Sequence, residues 1–251
     1  MQLEKILAQL KSNTGKFPHL ALERAIEEQE AITPILLSTL ERLSNNMEEL
    51  LDKTDYLLHI YALYLLAQFR ESLAYPLIIK FFVLAGEVSL DVTGDVVTED
   101  LGRILASVSG GDIEPLKQLV ENQKANEYVR SAALQAFLVL VAQEVVSREQ
   151  VVHYYAELLS NMGEKEYDYT WTMLVINSTE LGAVELIEKI DKAFEQDFVD
   201  RFFIDQEDVN GSFRLGIEVA MNKLRENYRY TFINDVISEM KGWGCFHVET
   251  F

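Results

Sequence analysis

Apolar residues in this chain recur at three- and four-residue steps almost from end to end, a rhythm that leaves little room for anything but helices. Leu3, Ile6, Leu7 and Leu10 set it at the start, and Leu36, Leu37, Leu40 and Leu43 repeat it. Side chains so spaced share one face of a helix and can be buried together. Alternating apolar and polar runs bounded by hairpin turns are missing. The brief exception, Asp91 to Val97, reads as a loop, with Thr98 as N-cap of the helix that follows. Twelve glycines and four prolines in 251 residues are too few for the turns of an all-β chain. The expected class is all-α.

Proline placement suggests how the helices are arranged. Pro34, Pro76 and Pro115 each precede an apolar run and lie 42 and 39 residues apart. Proline suits the first turn of a helix, where its missing N–H would be unpaired anyway, so each is expected to open one. That spacing falls in the range of HEAT and armadillo helix pairs. Further on, Ser147 opens a helix through Val151 and Leu159, and Gly182 precedes another. The segment Tyr128 to Gln143 carries small residues that let a neighbouring helix come close. The expectation is a HEAT/armadillo-like α-solenoid of about five helix pairs, at 17–44, 54–85, 98–122, 126–161 and 167–195, with a C-terminal helical cap. Residues 1–195 would form the array. Residues 196–251 would add an acidic loop, a turn at Asn210-Gly211 and helices over Phe213 to Glu226 and Phe232 to Lys241, packed on the array as one continuous unit.

Charge narrows the partners. Forty-one acids against 22 bases give a net charge of −19. Nucleic-acid affinity comes largely from counterions released by Lys and Arg, and no basic stripe is present, so a nucleic-acid partner is not expected. No stretch approaches the ~20 apolar residues of a membrane span, and Met1-Gln2-Leu3-Glu4-Lys5 opens an amphipathic helix rather than a signal peptide. The single cysteine, Cys245, cannot form an internal disulfide. The expected compartment is the cytoplasm.

Signatures of chemistry are sparse. The phosphate-binding glycine loop, the G-x-S-x-G elbow and H-E-x-x-H are absent. His59 reads as a hydrogen-bonded core or groove residue, and His153 as packing on a helix surface. Cys245 and His247 are two soft ligands one residue apart, but zinc takes four ligands, or three and a water, so they form only a fragment of a site. No metal or cofactor is expected. Asp200, Asp205, Glu207 and Asp208 are the densest carboxylates, yet the run lacks the closing glutamate of a calcium loop and reads as a solvated acidic segment. The clearest remaining signal is aromatic: Tyr56, Tyr61, Tyr64, Tyr154, Tyr155, Tyr167, Tyr169 and Trp171 recur across the helix pairs. On a curved array some of them would anchor a protein partner.

Four separated stretches resemble the bacterial domain of unknown function 1186 family. They are Glu99 to Val108, Asn126 to Leu134, Phe202 to Val209, and Phe232 to Val236 leading to Trp243-Gly244-Cys245-Phe246. The resemblance covers nearly the whole chain and implies a helical-repeat protein of unassigned activity. It also implies that many relatives carry a cysteine-rich zinc motif of the SEC-C type beyond this region. The sequence ends on an aromatic stretch at Phe251, before any such motif, so a continuation is expected and no zinc site carries over.

Two functions follow from this reading. The first is a non-catalytic interaction scaffold whose acidic surface selects a basic protein partner, with Tyr155, Trp171, Phe202, Phe203 and Asp205 as the contact residues. The second is an enzyme or small-ligand binder with a pocket between array and cap, marked by buried titratable groups.

Overall fold

The computed structural model describes residues 2–84, 86–161 and 168–246. Among them the regular structure is helical, apart from an isolated bridge between Ser12 and Tyr56. The helices are α1 (Leu3–Lys11), α2 (His19–Glu27), α3 (Gln29–Asn45), α4 (Leu58–Gln68), α5 (Ala74–Phe82), α6 (Val88–Thr93), α7 (Val96–Glu99) and α8 (Leu101–Val108). They continue with α9 (Glu114–Glu121), α10 (Glu127–Ala142), α11 (Arg148–Ser160), α12 (Tyr169–Glu180) and α13 (Ile187–Glu195). The C-terminal region adds α14 (Gln206–Leu215), α15 (Ile217–Glu226) and α16 (Val236–Met240).

The centre of the molecule is a row of helices apolar on nearly every side, the pattern expected of helices surrounded by others. Helices α4, α8, α10 and α12 pack in that order, with α3, α5 and α9 against α4, α8 and α10. Every residue of α8 is buried, as is almost every residue of α10 from Val129 to Ala142. Gly102 marks their closest approach: a Cβ there would lie 2.9 Å from the Ala132 carbonyl oxygen and 3.1 Å from the Gln135 Cβ. A side chain at this position would push the two helices apart.

Several local expectations are corrected. Pro34 does not open a helix. It lies inside α3, which begins at Gln29, and it faces solvent while Ile32, Leu36, Leu40 and Leu43 bury the opposite side. That burial outweighs the ~3 kcal/mol a mid-helix proline costs. Pro76 and Pro115 do fall in first turns, those of α5 and α9. Thr98 lies inside the short α7 rather than capping a helix at Glu99, and Asp100 precedes α8 instead. Asn210-Gly211 is not a turn, because Asp205 and Asp208 form a capping box that carries the helix α14 through it. The break falls at Gly216, where φ is +85°, so the helix expected over Phe213 to Glu226 divides into α14 and α15.

The helix expected over Phe232 to Lys241 shrinks to α16, because the residues before it form a strap whose backbone is held by side chains of the helical row. Gln143 Nε2 donates to the Tyr230 carbonyl at 3.1 Å, and Arg103 donates to those of Thr231 (3.0 Å) and Phe232 (3.3 Å). Arg70 donates to the Ile233 carbonyl at 2.7 Å and stacks 4.6 Å over the Phe232 ring. In the other direction, the Ile233 amide donates to Ser107 Oγ (3.0 Å) and the Val236 amide to Gln68 Oε1 (2.7 Å). Arg103 itself is buried between two carboxylates, bidentate on Glu239 (2.6 and 2.9 Å) and bonded to Asp100 (2.8 Å). Burial disfavours its charge, but Glu239 and Asp100 more than compensate and hold the guanidinium firmly protonated.

His59 on α4 is a core residue. It is 2% exposed, its Nε2 lies 2.7 Å from the Val92 carbonyl, and its ring stacks on Tyr56 at 5.7 Å. A carbonyl only accepts, so the ring proton belongs on Nε2. Burial pulls its pKa down to about 4.

Two predictions follow from this packing. Gly102→Ala should gain the ~1 kcal/mol of helix propensity alanine has over glycine but lose about 1–3 kcal/mol to the backbone clash, for a net fall in the denaturant midpoint. For His59 the unfolded chain takes up a proton below pH about 6.5 while the folded one does not. The stability this buried neutral ring contributes is therefore present above that pH and lost as pH falls towards 4. Urea unfolding at neutral pH and near pH 4 should show wild type losing up to about 3 kcal/mol more than His59→Leu; equal losses would contradict the buried neutral ring.

Candidate functional site

Two helix N-termini lie side by side and set the geometry of the largest aromatic surface feature. Asn126 caps α10 by accepting from the Tyr128 amide at 2.9 Å, and Asp168 caps α12 by accepting from Thr170 at 2.7 Å. The two ends are tied together: Glu127 accepts from the Tyr169 amide at 2.6 Å, and buried Arg130 pairs with Asp168. Arg130 also donates to the Val120 carbonyl at the end of α9 (2.8 Å) and lies 5.9 Å over the Trp171 ring. Tyr128 and Tyr169 thus emerge from adjacent first turns with ring centroids 5.2 Å apart.

The segment after α13 extends this pair. Asp200 donates its amide to Thr172 Oγ1 of α12 at 2.9 Å and accepts the Phe202 amide on its carboxylate at 2.9 Å. That turn brings Phe203 to 5.3 Å from Tyr169, with Phe202 5.3 Å beyond it, both edge-on. The result is a continuous ridge, Tyr128–Tyr169–Phe203–Phe202. Phe202 is 88% exposed and Phe203 50%. Edge-to-face rings fix one another's orientation at little entropic cost, a property of binding anchors. Around the end of the ridge, Asp197, Asp205, Glu207 and Asp208 are exposed. Arg201 is turned back over the Phe194 ring and donates to the Phe194 carbonyl.

The residues expected to contact a partner therefore separate into two groups. Phe202 and Phe203 lie on the ridge, and Asp205 is beside them as the N-cap of α14, accepting from Glu207 and Asp208 at 2.8 and 2.9 Å. Tyr155 and Trp171 are corrected: they are among the most deeply buried large side chains and line no outer surface. Tyr155 donates to the Leu134 carbonyl at 2.8 Å, which satisfies its hydroxyl inside the core. The recurrence of aromatics across the helices does not sort core rings from surface ones, and these two fall in the core. His153 is exposed beside Glu157, and Tyr167 and His247 lie outside the described residues. Cys245 is half-buried in a cleft of about 610 Å³ with Tyr64, Asp95, Glu99, Asp100 and Trp243, and burial raises its thiol pKa. Among the described residues no three of His, Cys, Asp and Glu converge on a common metal position.

Sequence reasoning missed Tyr128 as a member of the ridge, and it missed the buried arginines. The signal for Arg103 and Arg130 was available, since each is a lone charge in an otherwise apolar or small-residue helical run. Such a residue must find buried partners.

The profile of a family of proteins of unknown function, DUF1186, matches residues 1–247. An uncharacterised protein of Chlamydia trachomatis serovar D is 39% identical over 244 residues, spanning 97% of this chain and 96% of its own. An uncharacterised protein of Chlamydia muridarum is 38% identical over 244 residues, with 97% of each chain covered. No solved structure matches the chain significantly.

Proposed function

The chain belongs to the DUF1186 family of proteins of unknown function, and we propose that it is a non-catalytic interaction scaffold that holds a basic protein segment on the ridge formed by Tyr128, Tyr169, Phe203 and Phe202. In this reading the helices stack as HEAT- or armadillo-like pairs, and the protein acts in the cytoplasm. The order of contacts along α4, α8, α10 and α12 supports the stacking. The lone cysteine fits a reducing compartment, and no helix among the described residues is long and apolar enough to cross a membrane.

The observation that carries the reading is the ridge itself. Four rings in edge or tilted contact end in a phenylalanine that is almost fully in water, and the exposed charges on the flanking residues are Asp197, Asp205, Glu207 and Asp208 against one cation, Arg201. Exposed apolar area of this kind contributes nothing to the monomer but does contribute to an interface. The acids supply the complementary half: they draw in a cationic segment through long-range attraction, and the aromatic rings then desolvate it. Arg and Lys side chains add cation–π contacts to the faces of the same rings.

The test is affinity capture from lysate of the source organism with the wild-type protein and with the double variant Phe202→Ala, Phe203→Ala, at low and high salt. Losing two interface anchors should weaken binding by about thirtyfold or more. Phe202 makes few intramolecular contacts, so its replacement alone should leave the thermal midpoint nearly unchanged. A basic partner retained by wild type at low salt, released at high salt and missing from the variant is the expected result. Identical capture by both proteins would overturn the assignment of the ridge.

A further inference from the structure

A second site lies where the end of α12 meets the C-terminal helices. A cavity of about 210 Å³ is lined by Glu180, Ser212, Lys223, Leu224, Asn227 and Tyr230. Its position depends on Gly182, which adopts φ +62°, a conformation side chains rarely take, and whose missing Cβ would lie 2.9 Å from the Ala220 Cβ. α15 can therefore come close to α12 at that point and leave a hollow beside it.

Glu180 is incompletely satisfied. Tyr230 donates its hydroxyl to Oε2, yet among the described residues the carboxylate has no ion-pair partner within 4 Å. A carboxylate accepts about four hydrogen bonds, so Tyr230 leaves capacity on a group that lines the hollow. Burial raises its pKa, with Tyr230 and more distant Arg229 only partly opposing the shift. Acids at the helical seams have cations: Asp100 and Glu239 share Arg103, and Asp168 has Arg130. Glu180 has no such cation, and it lines the cavity.

The remaining walls narrow the ligand. Exposed Lys223 adds a cation to the lining, and buried Leu224 and Ala220 add apolar surface. The volume equals that of about seven liquid waters and falls below the ~300 Å³ at which drug-sized pockets begin. We propose that this cavity binds a free amino acid with a small apolar side chain, its ammonium on Glu180 and its carboxylate at Lys223. The ammonium supplies the missing counter-charge, Ser212 and Asn227 offer further hydrogen bonds, and the side chain lies along Leu224. This site shares no residue with the aromatic ridge, so either can fail without the other.

Isothermal titration of the full chain with the standard L-amino acids, and with valinamide and isovalerate as probes lacking the carboxylate or the amine, tests the proposal. Valine or a close relative should bind wild type, with isovalerate and valinamide each at least tenfold weaker. Glu180→Gln keeps an acceptor for Tyr230 and should lower valine affinity at least tenfold, and Lys223→Met should erase the preference for valine over valinamide. Should a variant fold poorly, amide shifts of wild type alone serve: the ligand must move Ser212, Lys223 and Asn227. Binding by no member of the panel, undiminished binding to Glu180→Gln, or shifts confined to other parts of the chain would each overturn it.

Discussion

The Arg103 guanidinium is the contact on which the C-terminal third of the molecule depends. The strap from Phe232 to Asp235, between a short 3-10 turn at Tyr228–Tyr230 and α16, has neither a helix nor a sheet of its own to satisfy its backbone, and buried unpaired peptide groups cost about 1–3 kcal/mol each. Arg103 meets the Thr231 and Phe232 carbonyls and the Thr231 hydroxyl, while balancing its own charge with Asp100 and Glu239. A buried charge of this kind adds little net stability compared with a well-packed apolar replacement, but losing one partner strands the others. Its value lies in position: it specifies where residues 230–240 sit. The cavity at Glu180 takes Tyr230 from the start of this docked segment.

The same device recurs at two other seams. Arg130 donates to the final turn of α9 and pairs with Asp168 at the start of α12. Arg148 donates to the Leu181 and Gly182 carbonyls just after α12 and is bidentate on Glu185. Helix C-termini leave carbonyls unpaired and carry partial negative charge, so a buried cation there removes two costs at once. The aromatic ridge grows from one of these seams, since the Arg130–Asp168 pair is what holds the first turns of α10 and α12 level.

The helical class was legible in the sequence because helical periodicity reports burial directly. Ser147, predicted to open α11, does so as its N-cap. What failed were features decided by partners far away in the chain. Pro34 looks like a helix start in isolation, and only the buried face of α3 explains why the helix runs through it. Phe232 to Asp235 looks helical until Arg70, Arg103 and Ser107 take its backbone. Tyr155 and Trp171 carry the same local pattern as exposed anchors, and the difference is a covering neighbour that no local window contains. At the candidate site, Phe202, Phe203 and Asp205 could be picked out because the segment interleaves aromatic rings with acids. Glu180 could not, for nothing around it in sequence announces a missing counter-ion. The stretches that carry the family resemblance do contain Arg103, Arg130 and the strap.

The central claim is that the strap is held by Arg103 and, through it, organises the seam beneath. Native-state hydrogen exchange on wild type and Arg103→Met tests it directly. The claim predicts that amides at Ile233, Val236 and along α16 lose protection far more than those of α3 and α5. Protection lost by the same amount at every amide, or kept at Ile233 and Val236, would mean that Arg103 is only one more buried charge and that the strap is held by something else.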